Sequence, residues 1–279
     1  MKCLILAAGY ATRLYPLTEN FPKPLLKVGK KTILDWLVDD IAATGKVDEF
    51  IIVTNARFQK VFSDWAFQRG LQFENEYNDN NESTPVEDLY TADSHPITVK
   101  AISDLTTTNE IRLGAVKDIK LAMDITGYVD DMLVIAGDNV LDFSFSHFLD
   151  FAEEKGTSCV MCHEESDLAK QQRTAIITFD EAGLITSYEE KPQEPKGNHA
   201  VPPFYFYKQK DIARIGEALR DGCNADAPGS FAAWLSHQTP VHAYLMPGKR
   251  YDIGNLESYQ HVQEVYKGIK RGKGLKRER

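Results

Sequence analysis

The sequence predicts an α/β fold, in which a mostly parallel sheet is flanked by helices on both faces. The chain opens with a continuous apolar run, 3–8, that stops at Gly9, as a buried parallel strand does. A helical pattern over 33–44 and a second apolar run over 49–54 follow it, and 58–70 has the pattern of another helix. This alternation of strands and helices builds a parallel sheet with helices on both faces.

The later elements continue the same alternation. Thr32 is a candidate N-cap for the first helix, which carries apolar residues along one face and ends at Gly45. Apolar or aromatic runs predict further strands over 132–136, 158–162, 175–179 and 204–207, and helical patterns cover 116–125, 146–155, 210–221 and 256–267. A chain of 279 residues can form one large domain of this kind, so we expect a single domain over 1–279.

Composition excludes several classes of function. A net charge of −9 argues against a general nucleic-acid binder. The apolar start is far too short to span a membrane. The four cysteines lack the spacing of a disulfide framework, which favours a cytoplasmic protein, and a homo-oligomer is compatible with the sequence without being indicated by it.

The charge is unevenly distributed along the chain. Residues 1–31 hold six Lys or Arg and one acid, a local charge of +5, which suits a site for an anionic ligand. The segment 74–96 holds seven acids and no Lys or Arg, which predicts an exposed excursion from the sheet. The basic tail 267–279 has the composition of a frayed terminus.

The turn after the first strand carries the main functional signal. A strand that breaks at glycine into a loop with Thr12 and Arg13 can wrap backbone N–H groups around phosphates. The turn lacks both the G-x-G-x-x-G fingerprint and the Walker A pattern, so a dehydrogenase is disfavoured. Lys23 follows between Pro22 and Pro24, which stiffen its backbone. Arg13 and Lys23 on one rigid loop predict a preorganised clamp for an anion.

The segment L-A-A-G-Y-A-T-R-L-Y-P-L-T-E-N-F-P-K-P resembles the signature loop of the sugar-phosphate nucleotidylyltransferases, the family of glucose-1-phosphate thymidylyltransferase. The chain departs from the family pattern at Ala11, where a second glycine is usual. The resemblance implies a Rossmann-like, GT-A-like fold with a nucleotide-binding part over about 1–145 and a smaller acceptor-binding part over 146–266. It also implies that the nucleotide is bound by Leu6, Ala8, Gly9, Thr12, Arg13 and Lys23.

Three later motifs match the family in order. Asp138 lies in A-G-D-N at the end of an apolar strand, and Asp252 lies in Y-D-I-G. The resemblance makes both carboxylates Mg²⁺ ligands, and Mg²⁺ is usually bound by few protein carboxylates together with phosphates and water. In E-E-K-P, Glu190 is implied to bind sugar hydroxyls and Lys191 the sugar phosphate. Lys191 joins Arg13 and Lys23 as an implied catalytic residue.

The implied activity is transfer of a nucleotidyl group from a nucleoside triphosphate to a sugar 1-phosphate, with glucose 1-phosphate and dTTP or UTP favoured. The base-reading segment of thymidylyltransferases is missing. Asn109 is a candidate for that role, and a polar turn before the next helix explains it equally well. Two alternatives stay open: a cytidylyltransferase acting on a phosphorylated alcohol or phosphonate, and an inactive relative that binds NDP-sugars as a regulator.

Overall fold

The computed structural model describes residues 1–69, 97–127 and 130–270, and the backbone alone of 72–73. The acidic segment 74–96 and the tail beyond Lys270 lie outside the described residues, so the expectations for them stay predictions. Lys270 itself is anchored, because its backbone N–H donates to Asp142 O at 2.8 Å and its Nζ lies 2.6 Å from Asp142 Oδ2.

The elements alternate between strands and helices along most of the chain. The strands are β1 Lys2–Ala7, β2 Lys27–Val28, β3 Lys31–Thr32, β4 Glu49–Thr54, β5 Gln72–Phe73, β6 Thr98–Ser103, β7 Met132–Ala136, β8 Asn139–Leu141, β9 Ser158–Glu164, β10 Ala175–Phe179, β11 Ile185–Glu190, β12 His199–Val201, β13 Phe204–Tyr207, β14 Val241–Leu245 and β15 Arg250–Asp252. The helices are α1 Ile33–Ala42, α2 Gln59–Gln68, α3 Ala115–Thr126, α4 Ser146–Lys155, α5 Leu168–Gln171, α6 Gln209–Ile212, α7 Ile215–Arg220, α8 Gly229–Ser236 and α9 Leu256–Val265.

One large sheet runs through the molecule in the order β11-β10-β12-β9-β13-β7-β1-β4-β6-β5, and β14 pairs with β9. The N-terminal half, β7-β1-β4-β6-β5, is parallel throughout. The strands from β13 to β11 pair in antiparallel fashion. The predicted α/β class is confirmed, and within the large sheet antiparallel pairing is confined to β7 and the strands built from later residues.

Two apolar clusters cover the two faces of the sheet. One contains buried side chains of α1, α2 and α4, and the other contains those of α3, α7 and α8. Helix α1 begins where the sequence predicts, because Thr32 forms a capping box with Asp35. No helix in the described ranges is long and apolar enough to cross a membrane.

Some predicted elements differ from the structure. The expected helix over 210–221 is divided into α6 and α7, and α8 and the strands β6, β11, β12 and β14 were not predicted. Strand β12 has only three residues, and β11 carries a polar face, so neither has a clear apolar run. Pairing with neighbouring strands, rather than local pattern, makes them strands.

Candidate active site

The loop that follows β1 is held in place by hydrogen bonds from three directions. Asn55 Nδ2 donates to Ala8 O at 3.1 Å, and Thr18 Oγ1 donates to Ala11 O at 2.8 Å. The hydroxyl of Tyr10 lies 3.1 Å from Thr106 Oγ1. Within this frame Gly9, Thr12 and Arg13 are exposed. The loop therefore presents a fixed backbone and a cation to solvent at the carboxyl end of a parallel strand, where such sheets bind ligands.

Ala11 adopts the left-handed conformation, with φ 48° and ψ 40°. This conformation costs a non-glycine residue about 1–2 kcal/mol. It explains why a glycine at this point suits the loop, and it shows that the methyl group of alanine is accommodated without changing the turn.

Lys23 is brought to the end of the neighbouring strand β7. It starts a short 3₁₀ helix, Lys23–Leu25, and its side chain is largely buried. Its Nζ lies 2.8 Å from Asp138 Oδ2. A β-carbon on Gly137 would lie 3.1 Å from Pro24 Cγ, so the Pro22–Pro24 segment packs directly on the A-G-D-N turn. The structure thus joins two of the sequence-predicted residues in one ion pair.

Asp252 comes to the same place through the pairing of β8 with β15. Asp252 lies opposite Asn139 in this pair, and the N–H of Ile253 donates to Asp138 O at 3.2 Å. Asn139 Nδ2 donates to Asp138 Oδ1 at 2.5 Å. The two carboxylates, 114 positions apart in the sequence numbering, therefore belong to one small region.

The charges of this region act on one another. About half of the Asp252 side chain is exposed, yet enclosure by its neighbours raises the pKa of its carboxyl, and the negative charge of Asp138 raises it further. The positive charges of Arg250, Lys23 and Arg13 oppose this shift in pKa. Three cations therefore surround two carboxylates that repel each other.

Two adjacent carboxylates with an unfavourable mutual charge are a donor set that suits a hard divalent cation. The described residues contain no cluster of three or more His, Cys, Asp or Glu side chains placed to hold a metal. Mg²⁺ does not require one, because it retains several waters and shares substrate phosphates with one or two carboxylates. Asp138 and Asp252 fit that mode of binding.

Arg250 was missed by the sequence analysis. Its Nη1 donates to Asn139 Oδ1 at 2.7 Å and lies 3.9 Å from Asp252 Oδ1. Its charge also lowers the pKa of Tyr205, although burial raises that pKa overall. The only sequence signal was its position directly before Y-D-I-G. From sequence, a single arginine there cannot be distinguished from an ordinary surface arginine.

Glu190 and Lys191 lie at the end of β11, beside the antiparallel half of the sheet. Burial raises the pKa of Glu190, and the adjacent Lys191 opposes the shift. Lys191 is exposed, and its backbone has a left-handed φ of 50°. Its N–H donates to Thr174 O at 3.1 Å. Strain of this kind at a non-glycine residue often marks a functional position.

Tyr205 lies near both Glu190 and Arg250. The charge of Glu190 raises the pKa of Tyr205, whereas Arg250 lowers it, so both charges lie near this hydroxyl. Arg250 in turn binds Asn139, next to Asp138. Glu190 and the turn with Asp138 and Asn139 thus lie on either side of Tyr205 and Arg250.

The position of Asn109 does not by itself indicate a function. It starts a short 3₁₀ helix, Asn109–Ile111, three positions after Thr106, which contacts Tyr10. Its carbonyl accepts from Arg112 Nη1 at 3.2 Å, but its amide side chain has no hydrogen-bond partner within the ranges that the structure covers. The site residue predictions, including Asn109 as a base reader, are thus compatible with the geometry and stay predictions.

Comparison with known proteins identifies relatives of one kind. The family model for nucleotidyl transferases matches residues 2–268. A mannose-1-phosphate guanyltransferase of Aspergillus oryzae is 26% identical over 216 residues, which make up 77% of this chain and 51% of the fungal protein. The chain thus spans about half the length of that relative.

Other relatives are similar in length to this chain. A UTP–glucose-1-phosphate uridylyltransferase of Haloferax volcanii is 23% identical over 273 residues, covering 95% of this chain and 96% of the archaeal protein. The crystal structure of a UDP-glucose pyrophosphorylase complexed with UDP-glucose superposes with a TM-score of 0.73 at 21% identity, covering 95% of this chain and 97% of that one. At this identity the structural likeness concerns the fold.

Proposed function

Because this chain belongs to the nucleotidyl transferase family, we propose that it transfers a nucleotidyl group from a nucleoside triphosphate to a sugar 1-phosphate and releases pyrophosphate. Glucose 1-phosphate with UTP or dTTP is the favoured pair. The uridylyltransferase of similar length supports this choice, and the guanyltransferase relatives make GTP with mannose 1-phosphate the next pair to test. The free cysteines support a cytoplasmic location.

The observation that carries the proposal is the ion pair between Lys23 and Asp138, 2.8 Å long, at the carboxyl ends of two strands. Arg13, Asp252 and Arg250 act on the same region electrostatically. A site with several cations and two carboxylates, but no nucleophile with an attendant base, suits a reaction between two polyanions.

The reaction itself needs little acid–base chemistry. The second pKa of a phosphate monoester is about 6, so the attacking oxygen is ionised at neutral pH. It forms a bond to the α-phosphorus of the triphosphate while the bond to the pyrophosphate oxygen breaks. Arg13 and Lys23 hold the triphosphate in this proposal, and Lys191 holds the acceptor phosphate. Asp138 and Asp252 would hold Mg²⁺, which supplies charge neutralisation of the phosphates when it is bound.

The test is a matrix of ATP, CTP, GTP, UTP and dTTP against glucose 1-phosphate, mannose 1-phosphate, phosphocholine and 2-aminoethylphosphonate, scored by pyrophosphate release with Mg²⁺. A sugar 1-phosphate is expected to give the fastest release, and chelation of divalent cations with EDTA is expected to stop it. Fastest release with CTP and phosphocholine or the phosphonate would make the chain a cytidylyltransferase of another class. No release from any pair would favour an NDP-sugar-binding regulator.

Two variants test the assigned roles. Asp138→Asn and Lys191→Ala are each expected to lower kcat/KM by about 10²-fold or more, because the first removes a proposed Mg²⁺ ligand and the second removes the cation proposed to hold the acceptor phosphate. Asp150→Asn, which alters an exposed pair with Lys46, is the control and is expected to be near normal. Near-normal turnover of Asp138→Asn or Lys191→Ala would refute the corresponding role.

A further inference from the structure

Three side-chain oxygens meet at the first residue of α8. A β-carbon on Gly229 would lie 2.9 Å from Glu190 Oε2, 3.1 Å from the Tyr188 hydroxyl and 3.2 Å from the Tyr205 hydroxyl. Gly229 has no left-handed φ, so its backbone does not demand glycine. The available space does require glycine, because a methyl group at this position would be too close to the three oxygens.

Tyr188 points a buried hydroxyl at this place. Its side chain is 5% exposed, and its hydroxyl has no hydrogen-bond partner among the residues that the structure describes. Ser230, the next residue of α8, also has a buried hydroxyl without a hydrogen-bond partner among the described residues. Buried polar groups in native proteins are nearly always paired, so an unpaired hydroxyl of this kind indicates that a bound molecule or water completes it.

Glu190 lies on the same strand and faces the same way as Tyr188. The two residues are two positions apart on β11, so their side chains lie on the same face of the sheet. Both approach the α-carbon of Gly229, yet no hydrogen bond joins them in the described structure. Glu190 is the partly exposed member of the group, whereas Tyr188, Tyr205 and Gly229 are buried.

The missing partner must satisfy both groups. An ionised carboxylate can only accept hydrogen bonds, and a phenolic hydroxyl can donate one. A ligand hydroxyl does both tasks, since it donates to Glu190 and accepts from Tyr188. An ammonium group only donates, so Tyr188 would then have to donate its hydrogen to Glu190 itself.

Resting on the proposed function, we propose that Tyr188 and Glu190 bind one hydroxyl of the acceptor between them, in a space that exists because residue 229 is glycine. Tyr188 and Gly229 are then specificity-determining residues for the acceptor. Since Lys191 follows Glu190 directly, consecutive positions of the chain contact a hydroxyl and the phosphate of one molecule. A hydroxylated sugar phosphate is the acceptor that this arrangement is expected to bind.

The central test combines Tyr188→Phe with acceptors that lack single hydroxyls. Pyrophosphate release is measured at saturating UTP with glucose 1-phosphate and its 2-, 3-, 4- and 6-deoxy analogues. Tyr188→Phe is expected to lower kcat/KM for glucose 1-phosphate by about tenfold, as the loss of one hydrogen bond does. For the one analogue that lacks the bound hydroxyl, the variant and the wild type are expected to be equal. The KM for UTP is expected to stay the same.

Tyr207→Phe is the matched control. Its hydroxyl is also buried and without a partner in the described structure, but it is not one of the three atoms nearest to a β-carbon at Gly229. It is expected to leave the acceptor kinetics unchanged. If Tyr188→Phe loses the same factor with every deoxy analogue, or behaves like Tyr207→Phe, the bridging hydroxyl is refuted.

Gly229→Ala tests the space independently. It is expected to raise the KM for glucose 1-phosphate at least tenfold while circular dichroism shows the native fold. Gly216→Ala is the control, because its β-carbon would meet only ordinary contacts at 3.6 Å. An unchanged acceptor KM in Gly229→Ala would refute the role of the space.

The outcome can be separated from a failure of the proposed function. If the wild type releases no pyrophosphate from any pair, calorimetric titration of glucose 1-phosphate replaces the kinetic assay. About tenfold weaker binding to Tyr188→Phe than to wild type or Tyr207→Phe then supports the pocket. Equal binding to all three, or tighter binding of phosphocholine than of glucose 1-phosphate, contradicts it.

Discussion

Gly9 is exposed at the end of β1, and a β-carbon there would have no atom within 4 Å. Nothing inside the protein therefore requires glycine at this position. The free space lies on the loop that we propose to contact the triphosphate through its backbone, and a side chain there would hold the phosphates away. Folding and nucleotide binding make different demands on this one residue.

Gly9→Ala is accordingly expected to leave the free energy of unfolding within about 0.5 kcal/mol of wild type. The KM for the nucleoside triphosphate is expected to rise about tenfold or more, because the methyl group occupies the side that faces the ligand. Urea denaturation and pyrophosphate release measure the two quantities, and Gly216→Ala serves as the control. An unchanged KM would remove Gly9 from the proposed nucleotide site.

Strained residues accompany the proposed phosphate contacts. Ala11 and Lys191 both have a left-handed φ, of 48° and 50°, although neither is glycine. One lies in the loop that carries Arg13, and the other is the proposed ligand of the acceptor phosphate. Such conformations persist only where the surroundings impose them, and they are common at functional sites.

Among the elements, the end of β7 and the 3₁₀ helix at Lys23–Leu25 depend on each other. Gly137 allows them to touch: its β-carbon would lie 3.1 Å from Pro24 Cγ and 3.2 Å from Ile5 Cγ2. Its N–H also donates to Leu6 O at 3.0 Å, which ties the A-G-D-N turn to β1. A side chain at 137 would displace the segment that carries Lys23.

Gly137→Ala is expected to destabilise the fold by about 1–3 kcal/mol through overpacking. The turnover of the folded variant is also expected to fall about tenfold relative to wild type, since Lys23 moves away from Asp138. Gly183→Ala is the control: its φ of 83° makes alanine there strained by about 1–2 kcal/mol, at a turn that contacts β14. Equal losses of turnover in the two variants at matched stability would contradict the specific role of Gly137.

Helix α3 carries a buried acid in its first turns. Burial raises the pKa of Asp118 to about 7, and the nearby carboxylate of Asp104 adds to the shift. One carboxylate oxygen of Asp118 has no hydrogen-bond partner in the part of the chain that the structure describes. The charged form is therefore disfavoured in the folded state relative to the unfolded chain.

The sign of the pH effect follows from the raised pKa. Below the ordinary pKa of 3.8 the acid is protonated in both states; as the pH rises toward about 7, the unfolded chain ionises and the folded one does not, so stability is lost over this window. Asp118→Asn is expected to remove that loss, a few kcal/mol at most. Urea denaturation at pH 5 and pH 8 measures it, with the exposed Asp124→Asn as control. An equal pH dependence in wild type and Asp118→Asn would show that Asp118 is not the cause.

At the scale of the whole molecule, the two parts of the chain are interleaved. Strand β13, from the part of the chain after residue 145, lies between β7 and β9, and β15 pairs with β8. The large sheet is consequently continuous across both parts. In the proposed nucleotide-binding part, β7 needs residues 204–207 as its neighbouring strand. Asp252 reaches the same region only because β15 pairs with β8.

We therefore expect one cooperative unfolding transition for the full chain rather than two. Tryptophan fluorescence and far-UV circular dichroism monitored in the same urea titration test this. Trp36 and Trp65 report on one face of the sheet, and Trp234 reports on the other. Non-coincident transitions would show that the parts unfold separately.

The sequence alone predicted the α/β class, strands β1, β4 and β7, helices α1, α2 and α3, and the order of the motifs along the chain. It could do so because buried parallel strands and amphipathic helices have strong local patterns, and because the phosphate loop is a continuous segment. Predictions failed for β12 and for the break between α6 and α7, where distant contacts decide local structure.

Only the tertiary structure decided which residues meet. The pairing of β8 with β15 brings Arg250 and Asp252 to Asp138, and the packing of α8 on β11 brings Gly229 to Tyr188 and Glu190. Neither association has a local signature, because each joins segments far apart in the chain through strand register and close packing. The loop after β1 predicts a phosphate ligand from sequence, and the fold determines which residues surround that loop.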